Sequence, residues 1–152
     1  MLTNGRWLSA ALILGILGCL TTTVALAADD DIIFTAKLTD NDESTPTESP
    51  GEGFAEVRLE RATLKITWKV TYHGLTSKPI LAGLYGPENV GANAGQFVNL
   101  AEHGLASPLQ GSKVLSDGEF QYLITTRVYV NIHTTRYRDG ELRGQLRRQR
   151  KR

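Results

Sequence analysis

The sequence predicts an all-β domain: an antiparallel, Greek-key-like sandwich or barrel with one short helix before the last two strands. Two observations carry this. Apolar residues recur with period two in several short runs, and Gly-, Pro-, Asn- and Asp-rich turns separate those runs. A third observation supplies the helix, because only one segment, opening at Ser116, joins a capping signal to apolar residues at helical spacing.

The first strand is read from Asp31 to Leu38, where Ile32, Phe34, Ala36 and Leu38 share one face. Residues 39–53 (TDNDESTPTESPGEG) are rich in Pro, Gly, Ser and acid and read as a long polar surface loop. Two alternating runs follow, Ala55/Val57/Leu59 and Leu64/Ile66/Trp68/Val70/Tyr72. The Arg61-Ala62 step between them allows a tight hairpin or one bent strand. Trp68, in the middle of an alternating apolar row, is assigned to the core rather than to a ligand-stacking surface.

His73-Gly74 opens a turn, Pro79 to Tyr85 forms an apolar strand, and Gly86-Pro87 ends it. The loop after it (GPENVGANAG) has neither the lysine nor the strand-to-helix setting of a phosphate cradle, so it reads as a turn-rich connection. A short strand is placed at Gln96 to Leu100, and Ala101 to Gly111 reads as irregular. Ser116-Asp117-Gly118-Glu119 is a capping box, and Phe120, Leu123 and Ile124 form an apolar stripe. The helix is therefore expected from Asp117 to about Thr126.

Two strands close the chain, Val128/Val130/Ile132 and Leu142/Gly144/Leu146. Matching apolar face to apolar face sets Ile132 opposite Leu142. That register puts Asn131 across from Arg143 and His133 across from Glu141, which gathers the polar residues of the hairpin on one face.

The N-terminus has the order of a secretory signal: Arg6, an apolar stretch from Trp7 to Leu20, then Thr21 to Ala27 ending in Ala25-Leu26-Ala27. Cleavage is expected after Ala27, just before Asp29, Asp30 and Asp31. The domains are then a signal peptide over 1–27, a β domain over 28–147 and a basic tail over 148–152. A membrane anchor is the rival reading, since the stretch just reaches the roughly 20 apolar residues of a span. Lipoprotein processing at Cys19 is another, but leucine before the glycine of Leu17-Gly18-Cys19 suits it poorly.

Cleavage removes the only cysteine and, with Arg6, one base, leaving 16 basic and 16 acidic residues. The expected product is an exported, periplasmic or extracellular domain without a disulfide. Its 125 residues are enough for one real core. Acids crowd the start of this domain and bases its end, where Arg147, Arg148, Arg150, Lys151 and Arg152 read as a solvated tail with weak attraction for an anionic surface. Export and the lack of aromatics interleaved with these bases argue against nucleic acid as the partner.

The closing segment, Tyr129-Val130-Asn131-Ile132-His133-Thr134 followed by Gly140-Glu141-Leu142-Arg143-Gly144-Gln145-Leu146, resembles the C-terminal signature of the chordin-type (CHRD) domain. The opening strand, the Trp68 strand, the Gly86-Pro87 turn and the short helix fall in the matching order, so the resemblance spans roughly Asp31 to Arg147. It implies an all-β extracellular domain, found in chordin beside modules that bind growth factors and as stand-alone exported proteins in microbes. Many members carry a His-x-His before the Gly-Pro turn; here Gly83 and Tyr85 occupy those places, so His133 alone remains of that set.

His133 is thus a weak metal ligand, with His73 and His103 far away in sequence. As a general base oriented by Glu141 it lacks a nucleophile, a phosphate loop or a second carboxylate beside it. The preferred reading is a structural network of Tyr129, Asn131, His133, Thr134, Glu141, Arg143 and Gly144 that fixes the closing hairpin. Tyr85, Tyr122, Tyr129 and Tyr137 form no evident cluster in the sequence. The functional expectation is a non-enzymatic binding or structural domain, with no cofactor, that meets a protein or polysaccharide partner through its surface; the alternative is a copper- or zinc-binding or redox domain on a similar sandwich.

Overall fold

In the computed structural model, which describes residues 31–150, β1 (Ile32–Leu38) pairs antiparallel with β2 (Glu52–Glu60), and β2 with β3 (Lys65–His73). The alternation read from the sequence is the reason. Ile32, Phe34, Ala36, Leu38, Ala55, Val57, Leu59, Ile66, Trp68 and Val70 all point inward and are buried, while the residues between them face out. The β2–β3 connection is a hairpin, closed by a turn over residues 61–64.

The second sheet is built from β4 (Pro79–Tyr85), β5 (Gln96–Asn99), β7 (Tyr129–Thr134) and β8 (Leu142–Gln145), in the order β5-β4-β7-β8. Ala82, Leu84, Val98, Val130, Ile132 and Leu142 meet the first sheet's inner face in one continuous core. Every named strand pair is antiparallel, and the two sheets stay separate, so the architecture is a sandwich and not a closed barrel. The Ile132–Leu142 and Asn131–Arg143 pairings of the closing hairpin are those expected from matching apolar faces.

Helix α1 (Asp117–Ile124) is capped as its sequence dictates. Ser116 accepts from the Glu119 amide, and the Glu119 carboxylate accepts from the Ser116 amide. Leu123 is buried, and Phe120 and Ile124 pack against the core from its edge. The helix stops two residues short of the expected Thr126, which takes a left-handed backbone conformation.

Two segments differ from their expected form. Leu109–Val114, half of it within the stretch read as irregular, is strand β6 on the free edge of β3. Its inner face hid the strand signal, because Gly111 stands where an apolar residue would, and the Trp68 indole covers it. At the C-terminus the basic residues do not all fray. Arg147–Arg148 form β9, an edge strand on β1 with Arg148 opposite Phe34 and Arg147 opposite Thr35. The first sheet therefore runs β6-β3-β2-β1-β9. The leader, with Cys19, Ala25 and Ala27, and the last two residues, Lys151 and Arg152, lie outside the described residues.

The sandwich closes where β8 passes across β1. Thr39 and Arg143 exchange backbone hydrogen bonds of 2.9 and 3.0 Å, and Gly144 lies against the Lys37 carbonyl and the Leu38 side chain. A Cβ at Gly144 would overlap the Lys37 carbonyl oxygen, which is backbone and cannot move aside. We predict that Gly144→Ala destabilises the domain by at least about 2 kcal/mol in urea unfolding. Gly95→Ala, where a Cβ meets open space, should change stability by less than about 0.5 kcal/mol. Equal effects would refute the role given to this crossing.

Candidate functional site

The residues of the closing signature occupy a strand buried on both faces. Along β7, Val130 and Ile132 face the core, while Tyr129, Asn131 and His133 face the other way, and all six strand residues are buried. An outward face normally meets water. Here three connections cover it: the β1–β2 loop, the β4–β5 loop and the β7–β8 loop, which contribute Glu43, the Ala94 amide and the Arg138 carbonyl respectively. Polar groups sealed in this way need partners within the protein.

His133 receives two. Its Nδ1 donates to the Arg138 carbonyl at 2.8 Å, since a carbonyl can only accept. Its Nε2 lies 2.8 Å from the Tyr85 hydroxyl, and this neutral tautomer leaves Nε2 as the acceptor. Burial, followed by the neighbouring Tyr129 and Glu43, pushes the Tyr85 phenol up to about 12, so it keeps the proton it donates. Tyr85 also stacks on Tyr129 at 5.4 Å between ring centroids. Tyr85, one of the places where the resemblance led one to look for a histidine, thus fills the coordination position of His133 with an O–H.

Arg143 is 1% exposed. Its guanidinium lies 3.6 Å from the centre of the Tyr129 ring. Nη2 donates to the carbonyls of Ala92 and Asn89 at 2.7 and 3.4 Å, and Nη1 donates to Asn93 Oδ1 at 3.2 Å. The planar fork therefore serves carbonyls of the β4–β5 loop, not the Glu141 carboxylate two residues away. That loop is tied further by the Ala94 amide donating to the Tyr129 hydroxyl and by the Asn93 amide donating to Ser44.

Glu141 sits apart from His133, contrary to the face-sharing expected from register alone. The strand ladder ends at Ile132–Leu142, and Glu141, just beyond it, turns its side chain to Ser49, Thr76 and Thr134. Its carboxylate accepts from Thr134 Oγ1 at 2.5 Å, the Thr76 amide at 2.6 Å, Ser49 Oγ at 2.8 Å and Thr76 Oγ1 at 3.0 Å. Burial works to raise its pKa, but the hydrogen bonds from Thr134, Thr76 and Ser49 outweigh it and hold the carboxyl below its usual range. Thr47 Oγ1 donates to the Glu141 carbonyl at 3.1 Å, so the β1–β2 loop is pinned twice to this residue.

Glu43 is the site residue that sequence reasoning missed. It lies within the polar run of residues 39–53, yet it is 7% exposed, and Asn131 Nδ2 donates to its Oε2 at 3.3 Å. Nothing in a run of Asp, Asn, Glu, Ser and Thr distinguishes the acid that turns inward. Thr47 and Ser49 are buried in the same run, so the loop is a cover and not a solvated excursion.

His73 and His103 are exposed, at the end of β3 and in the turn after β5, and no bond links either of them to His133. Among the described residues, no three His, Cys, Asp or Glu side chains are placed to hold a metal ion. Trp68 is core, with its indole N–H donating to the Leu100 carbonyl at 3.2 Å. Tyr137 donates to the Thr47 carbonyl, and Tyr122 packs edge-on to Phe97, so the four tyrosines fall into separate settings apart from the Tyr85–Tyr129 stack.

The Glu141 cluster has a definite pH signature. Because its folded pKa is depressed, Glu141 contributes stability that is full above its ordinary value of 4.5 and is lost as the pH falls through the folded value. Glu141→Gln should cost about 2–4 kcal/mol near neutral pH. In guanidinium unfolding the gap to wild type should narrow as the pH drops below about 4; a constant gap would contradict the assignment.

A family model described as the CHRD domain matches residues 34–146. Comparison with curated proteins and with solved structures gave no match. The matched stretch runs from the middle of β1 to the residue after β8 and so takes in both sheets, the helix and the closing signature. The chain belongs to the CHRD domain family.

Proposed function

We propose that this chain is an exported, non-enzymatic CHRD domain that uses its polar signature to hold surface loops in place and meets a protein or polysaccharide partner through its surface. One observation carries the reading: the chemically capable side chains of the signature are already committed. Both ring nitrogens of His133, the guanidinium of Arg143 and the carboxylate of Glu141 are spent on hydrogen bonds to loop backbone and to neighbouring hydroxyls. A general base needs a free lone pair facing substrate, and His133 Nε2 faces Tyr85 instead. What these bonds produce is a set of connections fixed on a rigid sheet, which is the usual setting for a recognition surface.

Support for export is the leader sequence, together with a family whose domains are typically extracellular; no described helix is long and apolar enough to cross a membrane. Arg147, Arg148 and Arg150 supply exposed positive charge at the β9 edge, beside a groove lined by Asp31, Ile32 and Ile33. That edge suits a weak contact with an anionic surface.

Three measurements on the secreted protein test the reading. N-terminal sequencing should begin at Ala28. Elemental analysis should find no stoichiometric copper or zinc, and His133→Ala should lower the melting temperature by roughly 5 °C or more without changing metal content. Retention on an anionic polysaccharide should fall with salt and disappear when Arg147, Arg148 and Arg150 are replaced by alanine. Stoichiometric metal lost on His133→Ala would overturn the proposal in favour of a metal-binding domain.

A further inference from the structure

Two buried acceptors on the covered face of β7 have no partner: Glu43 Oε1 and Asn131 Oδ1. They lie together. Above Gly140, the point where a Cβ would stand is 2.5 Å from Glu43 Oε1, 2.6 Å from Asn131 Oδ1 and 2.5 Å from Asn131 Nδ2. Gly140, with φ at 132°, has a backbone conformation that suits glycine and leaves this space to the two side chains. The carboxyl and the amide thus share the space over Gly140, with Nδ2 donating to Oε2 at 3.3 Å and neither Oε1 nor Oδ1 meeting a donor.

An ionised carboxylate cannot resolve this. It only accepts, and the amide offers one acceptor and one donor edge, so with the amide either way round its oxygen finds no donor on the carboxylate. A protonated carboxyl resolves it at once: Oε1–H donates to Oδ1 while Nδ2–H donates to Oε2. We propose that Glu43 carries a proton on Oε1 and forms a reciprocal acid–amide pair with Asn131, a clasp that fastens the β1–β2 loop over β7 and loosens as the pH rises.

The surroundings of Glu43 set where this happens. Burial is the largest influence and favours the neutral acid. Arg143 on β8, the Asn131 hydrogen bond and the Ser44 backbone amide oppose it, and Asp42 on the same loop supports it; the balance pushes the carboxyl up to about 7. The Tyr85 phenol on β4 keeps its proton in this range and only feels the charge when Glu43 ionises. The other ionisable groups around the clasp are His133 and Tyr129 on β7, both against Tyr85, and Arg136, Tyr137, Arg138 and Asp139 from the β7–β8 connection. A groove of about 360 Å³, lined by Glu43, Asp139 and Gly140 among others, opens beside the clasp.

The sign follows from linkage. A carboxyl whose folded pKa is raised contributes most below its unfolded value near 4.5, and this contribution declines as the pH rises through about 7. Glu43→Gln keeps the shape and presents a permanent N–H where the acid presents its proton.

The experiment compares wild type with Glu43→Gln in thermal unfolding between about pH 5 and pH 8, alongside a carbon NMR titration of the wild-type glutamate carboxyls. The two proteins should melt together at the acid end. At the alkaline end the wild type should melt roughly 5 °C or more below the variant, with faster amide exchange over residues 40–50 after correction for intrinsic rates. One glutamate carboxyl should titrate near neutrality and be missing from Glu43→Gln. Glu141 is present in both proteins, so its own titration enters both melting curves. Melting curves that keep a constant separation across the range, or a Glu43 carboxyl that titrates with the exposed acids, would overturn the proposal. The NMR titration uses wild type alone and stands even if the variant folds poorly.

Discussion

The rest of the site depends on the burial of β7 on both faces. A strand in a two-layer sandwich ordinarily turns one face to the core and one to water, and its polar residues are satisfied by solvent. Here the outer face carries Tyr129, Asn131 and His133, and loops close over it. Once water is excluded, each donor and acceptor must be matched from a fixed supply of neighbours, and the cost of a mismatch is about 1–3 kcal/mol per group. The signature answers that requirement: a tyrosine that donates to a histidine, a histidine that donates to a carbonyl, an arginine that donates to two carbonyls and an amide. The same bonds that satisfy the strand position the loops, so strand stability and surface shape are one property.

The buried guanidinium illustrates how this is done without an ion pair. Arg143 is enclosed by an aromatic face and by carbonyl dipoles, and both are attractive to a cation at short range. No hydrogen bond joins it to a carboxylate; Glu43 influences it only through space. Replacing the arginine with lysine would keep the charge yet lose the planar fork that spans Asn89, Ala92 and Asn93. This explains why the β4–β5 connection, rich in glycine and alanine and without buried apolar anchors of its own, can cover a sheet.

Legibility in the sequence followed the strength of the periodic signal. The runs around Phe34, Val57 and Trp68 alternate so regularly that their strands, their inward faces and the closing hairpin's register could all be read directly. Edge strands were harder. β6 has a glycine where the pattern needs an apolar residue, because the Trp68 indole takes that space, and β9 is two arginines held by backbone pairing that leaves no trace in composition. Within the site, residue identities were legible and their partners were not. Register placed Asn131 beside Arg143 correctly. It could not show that Glu141, one step beyond the ladder, would leave the face for Ser49, Thr76 and Thr134, because those partners are 65 or more residues away in two cases and local order says nothing of them. Glu43 was hidden for a related reason. Its loop has the composition of a solvated segment, and only the three-dimensional need of Asn131 for a partner selects this acid from its neighbours.

The β1–β2 loop is consequently held by two carboxyls with opposite requirements. Glu141 holds its four donors, among them Ser49, most strongly as a carboxylate, since the hydrogen bonds from Thr134, Thr76 and Ser49 favour the ionised form. Glu43 completes its pairing with Asn131 only as the neutral acid. Raising the pH strengthens the first attachment until Glu141 is fully ionised and then has no further effect on it, while it weakens the second through about neutrality. The loop is therefore fastened at both ends only in the interval between the two titrations, on the mildly acidic side of neutral. Outside that interval one carboxyl attachment weakens, the Glu43 one when the medium is alkaline and the Glu141 one when it is strongly acidic, while the bonds at Ser44 and Thr47 are unchanged.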